Sequence, residues 1–356
     1  MVTVRLRDRD AIVTREGLIF RVFGYSHPSN AYICDVEYAP AEIFKSNNPK
    51  AFRSWGQRVF YKFYEDEGLK FVKKYNPQYL ILHDMLRRKV VGVNYSDVVR
   101  VEKPDEKLEK IMKMEPRDKL ITALHNVLEL TTQCSNLSTE NFGVFGSLLH
   151  DFYHPRFSDL DFIIYRREKA VKLRETLREL YEEKHSLLKN EFESDEPIRG
   201  KRWRFQNYTS KEYVWHQQRK LIYALFKDEK SGRIIKTEFE PVKDWTEITN
   251  EYDPKARILR KGWVKMFVRI MDDRAALFIP SIYGIELQKV LCGPKCANDV
   301  GRIISYVEEF RMQACKDEKV YVEGNLEEVT TPEGGFYQIT LTYCPRYFEQ
   351  VLKVAS

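Results

Sequence analysis

The spacing of apolar residues predicts that the first hundred residues form mainly β-strands. Residues 31–38 alternate between apolar and polar types, and residues 17–24 form an apolar run bounded by glycines. Short runs of both kinds, separated by turn residues such as those at 26–30, are typical of strands. Because a proline disfavours helical geometry at the residue before it, Lys103-Pro104 marks the end of this region. We predict an N-terminal β-rich domain over residues 1–104.

The pattern changes to a helical period after this boundary. Apolar residues recur every three to four positions between 117 and 133, which predicts an amphipathic helix. Short apolar runs at 142–145 and 162–165 are typical of buried strands. Two further runs, at 221–226 and 233–241, predict a pair of strands. We therefore predict a central domain over residues 105–250 that combines a mixed sheet with helices.

The last hundred residues return to strand patterns, interrupted once. Apolar residues at helical spacing predict a helix over residues 299–309. The predicted strands are residues 263–270, 275–279, 319–323 and 336–343. Together these elements predict an α+β protein whose central domain is flanked by the N-terminal β-rich domain and a C-terminal β-rich domain over residues 251–356.

Two aspartates at the start of one predicted strand are the first candidate site residues. If residues 159–165 form a strand, Asp159 and Asp161 project from the same face while Leu160 points into the core. Two carboxylates placed in this way repel each other unless a cation lies between them. An Asp-x-Asp sequence is also typical of turns, and the Gly146-Ser147 pair that precedes it is also typical of helix capping. Their ordered occurrence within residues 142–165 favours a functional unit.

A second predicted strand also carries acidic residues. In residues 233–241, Glu238 and Glu240 alternate with Thr237 and Phe239 and therefore share one face. Either glutamate is a candidate for a third carboxylate beside the two aspartates. Strand periodicity alone leaves both open.

The motif resembles the signature of a known superfamily. Gly146-Ser147, the linker 148–157 and then Ser158-Asp159-Leu160-Asp161 are similar to the Gly-Ser and acidic-apolar-acidic pattern of DNA polymerase beta-like nucleotidyltransferases. The β-rich flanks resemble a group of predicted archaeal members. The resemblance implies a two-metal enzyme, dependent on Mg²⁺ or Mn²⁺, that transfers a nucleoside monophosphate from an NTP such as ATP to an acceptor hydroxyl.

The resemblance also implies roles for individual residues. Asp159 and Asp161 would bind both metal ions. In some members of the family a proline follows shortly after the third acid, as Pro241 follows Glu238 here. Glu238 would bind the ion that activates the nucleophile and help accept its proton. Gly146, Ser147 and Ser158 would contact the nucleotide, helped by backbone N–H groups at a helix start. The chain departs from the family over residues 148–151, where many relatives have a small residue, a basic residue and glycine.

Charge and composition add a candidate partner. The chain has 356 residues with a formal net charge of +6, which is compatible with a polyanionic partner. Its densest basic stretch carries Arg199, Lys201, Arg202, Trp203 and Arg204. Because arginine and aromatic side chains contact phosphates and stack on bases, we predict RNA or DNA as one acceptor; a protein or a small hydroxylated molecule stays open. The alternative function is a catalytically inactive protein of the same fold that binds nucleic acid or an assembly partner.

The remaining composition bears on the compartment. The apolar runs are too short to cross a bilayer, and the first ten residues lack the apolar segment of a secretory signal. The 6 cysteines are scattered rather than arranged as a disulfide framework. These features predict a cytoplasmic protein with no membrane partner. They leave the identity of the NTP and the oligomeric state open.

Overall fold

The computed structural model describes residues 5–199 and 203–355 and has an α+β fold. Its contacts divide the chain into two compact units: the first contains residues up to 83, 87–176 and 226–252, and the second contains the remainder. The helices are α1 (Glu67–Tyr75), α2 (Pro104–Met112), α3 (Lys119–Ser135), α4 (Arg167–Glu182) and α5 (Ser210–Arg219).

The strands are given in chain order. They are β1 (Ala11–Val13), β2 (Ile19–Val22), β3 (Ala31–Pro40), β4 (Phe52–Trp55), β5 (Arg58–Lys62), β6 (Leu80–His83), β7 (Arg88–Asn94), β8 (Arg100–Glu102), β9 (Phe142–Val144), β10 (Leu160–Tyr165), β11 (Leu188–Asn190), β12 (Tyr223–Asp228), β13 (Arg233–Val242), β14 (Arg257–Ala275), β15 (Ser281–Cys292), β16 (Val300–Ser305), β17 (Lys319–Thr331), β18 (Gly334–Leu341) and β19 (Val351–Val354).

The first unit begins with a sheet built from β1 to β8. Its order is β4-β5-β3-β2-β1-β8, with β7 paired to β3 and β6 paired to β7. The strands predicted at residues 17–24 and 31–38 are confirmed as β2 and β3. Their buried side chains, including Phe20, Val22 and Tyr32, form one core cluster with Phe71 and Val72 of α1.

The same unit contains the strands that carry the candidate acidic residues. Strand β10 pairs antiparallel with β9 and parallel with β13. The predicted helix over 117–133 is confirmed as α3, which begins after Asp118, whose side chain accepts hydrogen bonds from the N–H groups of Leu120 and Ile121. Helix α2 packs close to β9, as shown by Gly143, where an added Cβ would lie 2.9 Å from Pro104. Because β10 is buried, contains β-branched residues and lies close to packed helices, its side chains are held in fixed positions.

The second unit is dominated by the sheet β14-β15-β16-β18-β17-β19. Because β14 also pairs with β17, five of these strands form a closed ring. The ring encloses a core that includes Val264, Met266 and Val268. Helix α5 begins with a capping box in which Thr209 and Glu212 bind each other's backbone N–H groups.

Two predictions for this unit are wrong. Residues 299–309 contain strand β16 rather than a helix, because β-branched residues such as Ile303 and Ile304 fit the parallel pairing with β18 as well as they fit helical spacing. Residues 276–279 form a turn after β14 rather than a strand. Within the described ranges, none of the helices has the length and apolar character needed to span a membrane.

Candidate functional site

The parallel register between β10 and β13 brings two of the predicted acidic residues together. Asp161 is the partner of Glu238 across the two strands, and Ile163 is the partner of Glu240. Residues paired across neighbouring strands project from the same face, so Asp161 and Glu238 are neighbours on one face of the sheet. Both side chains are half-buried, whereas Asp159, just before β10, is exposed. The register therefore distinguishes the two glutamates, which strand periodicity could not do.

Gly146 packs directly against this acidic pair. Its φ angle is +61°, a left-handed conformation that favours glycine. A Cβ added to Gly146 would lie 2.5 Å from Oδ2 of Asp161, which is closer than real Cβ atoms approach a neighbour. The residue before Gly146 is fixed as well, because the N–H of Phe145 donates a hydrogen bond to the Asp161 carbonyl at 3.0 Å. Glycine at 146 is therefore required both by the turn and by the position of the Asp161 carboxylate.

The expectation that a helix begins after Gly146 is wrong. Residues 146–151 form successive turns, and the chain adopts a left-handed conformation at Asp151, with φ of +58°. Leu149 and Phe152 are drawn instead into an apolar cluster with Tyr38 and Phe60 of the N-terminal sheet. Burial of these side chains against the sheet outweighs the helical alternative. Ser147 is half-buried in the first of these turns, and its carbonyl accepts the N–H of Phe152 at 2.9 Å.

Ser158 has a structural role that the sequence did not indicate. Its Oγ accepts the backbone N–H of His154 at 2.8 Å. The guanidinium of Arg233, at the start of β13, donates to the Ser158 carbonyl at 2.6 Å and to the Pro155 carbonyl at 3.3 Å. These bonds fix the end of the loop next to Asp159. A contact between Ser158 and a nucleotide stays a prediction.

Burial and nearby carboxylates disfavour the charged form of Asp161. Burial and the neighbouring carboxylate of Asp159 raise the pKa of Asp161 to about 7. Glu240 and Glu37 act in the same direction, whereas the ammonium of Lys62 opposes them. A group of this kind favours either a proton or a cation beside it.

Glu240 is paired with a buried arginine. Its carboxylate lies 2.5 Å from the guanidinium of Arg9, and both side chains are almost fully buried. Arg9 also lies 3.7 Å from Asp8 and 5.5 Å from the ring of Phe145. The charge of Glu240 is thus compensated within the protein. Residues 7–10 all carry charged side chains and are all buried, and no signal in the sequence indicated this burial.

Lys62 is a second residue near the site that sequence reasoning missed. It lies beside Tyr38 across the β3–β5 pairing, with its ammonium 5.9 Å from that ring. Tyr38 raises the pKa of Lys62, burial lowers it, and Glu37 and Asp161 raise it further. The structure uses Lys62 as a cation that faces the acidic site.

The basic stretch predicted to contact nucleic acid belongs to the second unit. Lys201 and Arg202 lie outside the described residues. Nε1 of Trp203 donates to the Tyr208 carbonyl at 2.7 Å, and its ring packs on the core of that unit. Arg204 lies over the ring of Phe348 at 4.1 Å, and Arg199 pairs with Asp195 at 2.9 Å. These contacts give the stretch a structural role, and its binding of RNA or DNA stays a prediction.

The donor atoms of the acidic site suit a hard divalent cation. Asp159, Asp161 and Glu238 offer only carboxylate oxygens, the ligands that Mg²⁺ and Mn²⁺ accept. Over residues 5–199 and 203–355, no three His, Cys, Asp or Glu side chains converge as a ready metal cage. Mg²⁺ usually takes several of its ligands from water and substrate phosphates, so it can bind with fewer than three protein carboxylates.

Comparison with known proteins finds a relative that matches this chain over its whole length. The chain is 28% identical over 362 residues to a protein of Methanocaldococcus jannaschii that is itself described as uncharacterized, and the match covers 99% of each chain. No family model matches the sequence. No solved structure matches it either. The relative therefore shares the whole length of this chain without assigning it an activity.

Proposed function

We propose that the protein is a metal-dependent nucleotidyltransferase that moves a nucleoside monophosphate from an NTP to an acceptor hydroxyl. The observation that carries the proposal is the side-by-side placement of Asp161 and Glu238 on parallel strands, next to the turn at Gly146. It is supported by the raised pKa of Asp161, which indicates a position that favours a cation. The resemblance of the Gly-Ser and Asp-x-Asp sequences to known nucleotidyltransferases points to the same chemistry.

The proposed roles follow from the positions of the side chains. Asp159 and Asp161 would hold the metal ions, and Glu238 would complete the shell of one of them. Bound metal ions supply charge stabilisation for phosphoryl transfer and activate the attacking hydroxyl. Glu238 is also placed to accept the hydroxyl proton. Lys62 would offset part of the negative charge when the NTP is absent.

The proposal is tested by transfer of label. The purified protein is incubated with Mg²⁺ or Mn²⁺, each radioactive NTP in turn, and separate pools of RNA, DNA and protein. We expect metal-dependent label in one pool, and we expect chelation with EDTA to remove it. If no pool gains label while RNA or DNA binds in a salt-sensitive way, the inactive nucleic-acid-binding alternative is favoured instead.

The two glutamates of β13 are predicted to have separable effects. Glu238→Gln should lower the transfer rate by about tenfold or more, because it removes a metal-binding charge, and should leave the free energy of unfolding nearly unchanged. Glu240→Gln should lower the free energy of unfolding by about 3 kcal/mol, because it removes the nearer of the two carboxylates beside the buried guanidinium of Arg9. Urea unfolding and initial transfer rates separate the two outcomes. A large stability loss in Glu238→Gln, with full activity, would reverse the assignment.

A further inference from the structure

A basic pocket lies in the first unit between the N-terminal sheet, α2 and the loop that follows Ser147. Its volume is about 340 Å³, within the range of small-ligand sites. The apolar part of its lining includes Val13, Ile19, Phe60, Leu149 and Phe152, five members of one packed cluster. The pocket therefore has a rigid apolar wall.

Charged side chains line the rest of the pocket. Five of them are cationic, namely Arg58, Arg100, Lys103, Lys107 and Lys110. Three are carboxylates, namely Glu102, Glu106 and Asp151. Four of the cations lie within residues 100–110, from β8 into α2, and Arg58 comes from β5. The fold therefore brings Arg58 beside a local basic segment, and both contribute to the positive charge of the pocket.

The carboxylates of the pocket are already compensated. Glu102 lies 2.6 Å from Arg100 and 2.5 Å from Nδ1 of His150. Asp151 lies 2.5 Å from Lys107. Burial raises the pKa of Glu102, but its contacts with His150 and Arg100 hold that pKa below its usual value, so the carboxylate stays ionised and paired.

The third carboxylate of the pocket is also paired, and two of the five cations make no ion pair with a described residue. Glu106 lies 3.5 Å from Lys103. Asp151 is also 2.7 Å from Arg117. Arg58 and Lys110 are exposed and make no ion pair with any residue in the described ranges. Two cations in the pocket are thus available to an incoming anion.

We propose that this pocket binds a phosphate group of a ligand whose apolar or aromatic part rests on the apolar wall. Arg58 and Lys110 would contact the phosphate oxygens, since guanidinium and ammonium groups form charge-assisted hydrogen bonds with phosphate. A free phosphate and a phosphate of a nucleic-acid strand share this chemistry. The site is separate from the acidic residues of β10 and β13, and the proposal does not depend on transferase activity.

The location of the pocket gives it a further consequence. Its wall includes Leu149, which lies two residues after Ser147 in the same run of turns. The ring of Tyr38 packs against Phe152 of this wall at 5.2 Å, and Tyr38 also adjoins Lys62 of the acidic site. A ligand anchored in the pocket would therefore lie against the loop that carries Gly146 and Ser147.

The test compares a pocket variant with a charge-matched control. The pocket variant is Arg58→Gln/Lys110→Gln, and the control is Arg88→Gln/Lys89→Gln, which removes the same charge from an exposed site on β7. Binding is measured in EDTA and without NTP, by calorimetry for inorganic phosphate and by fluorescence anisotropy for a 5′-phosphorylated RNA strand. Thermal unfolding confirms that all proteins are folded. Because neither metal nor NTP is present, this result is independent of the transferase test.

We expect the pocket variant to bind at least one probe about tenfold more weakly than the wild type, and the control to differ by less than about twofold. For RNA, the slope of log affinity against log salt should fall by about 2, one for each cation removed. Weakening of phosphate alone identifies a small ligand, and weakening of RNA alone identifies a strand. The proposal is overturned if the wild type binds neither probe, or if both variants bind equally well.

Discussion

Replacing Asp161 by asparagine should lower NTP-dependent transfer on the order of a thousandfold or more and, at neutral pH, should stabilise the metal-free protein. The loss of activity is expected because an amide cannot hold a divalent cation as a carboxylate does. The gain in stability is expected because the Asp161 carboxylate is half-buried beside other carboxylates. These two changes in opposite directions identify a residue whose charge serves a ligand rather than the fold.

The pH dependence of stability tests the same residue. The Asp161 carboxyl loses its proton near pH 3.8 in the unfolded chain and near pH 7 in the folded protein. A raised pKa in the folded state means that folding favours the protonated form, so this group lowers stability as the pH rises between these values. At pH 8, Asp161→Asn should exceed the wild type by on the order of 1 to 3 kcal/mol, and the difference should shrink towards pH 4.

Asp35→Asn is a suitable control for Asp161→Asn. Asp35 is exposed on β3 and pairs with Arg21 at 3.2 Å, so the same chemical change there removes a surface ion pair worth about 1 kcal/mol or less. Transfer rates, urea unfolding and the shift of the melting temperature on adding Mn²⁺ are measured for both. Mn²⁺ should stabilise the wild type and Asp35→Asn but not Asp161→Asn. Equal stabilisation of all three proteins would contradict a metal site at Asp161.

The second large effect is expected at Gly146. Gly146→Ala should lower transfer by about a hundredfold or more, because the new methyl group would displace the Asp161 carboxylate and a shift of about 1 Å in a reacting group has an effect of this size. It should also lower the free energy of unfolding by about 1 to 2 kcal/mol, since alanine is strained at a positive φ.

Gly232→Ala separates the backbone strain at a positive φ from the displacement of the Asp161 carboxylate. Gly232 has a φ of +69°, close to the +61° of Gly146, but a Cβ there would have no neighbour within 4 Å. Both variants should therefore show the backbone cost in urea unfolding, and only Gly146→Ala should lose transfer activity. If the two variants lose activity equally, the close approach of Gly146 to Asp161 has no functional importance.

The sequence predicted those parts of the site that depend on local patterns. The spacing of apolar residues predicted both the strand that carries Asp161 and helix α3 before it. Such spacing is a local property of the sequence, so it can be read without knowledge of the tertiary structure. Strand periodicity could not choose between Glu238 and Glu240, because the register of parallel strands is set by tertiary packing between segments far apart in the chain. Only the resemblance to nucleotidyltransferases favoured Glu238. Only the structure shows that one glutamate adjoins Asp161 and the other adjoins Arg9.

Two features that the sequence did not indicate have the same physical origin. The charges of residues 7–10 are typical of a solvated segment, yet pairing such as that of Arg9 with Glu240 allows them to be buried. The turns after Gly146 replaced an expected helix because Leu149 and Phe152 pack on the N-terminal sheet. In both cases a partner from a distant part of the chain decided the local structure, and no spacing within the segment records that partner.

The buried pair between Arg9 and Glu240 affects how the first unit can be divided into fragments. Arg9 leaves the ribosome long before Glu240, so this contact forms only after the acid-bearing strands have been made. A fragment beginning at residue 105 would keep Glu240 but lose its cation, together with the sheet that covers Leu149 and Phe152. Such a fragment should be insoluble or unfolded even though it contains every predicted metal ligand. The N-terminal sheet is therefore an integral part of the folding unit that carries the candidate site.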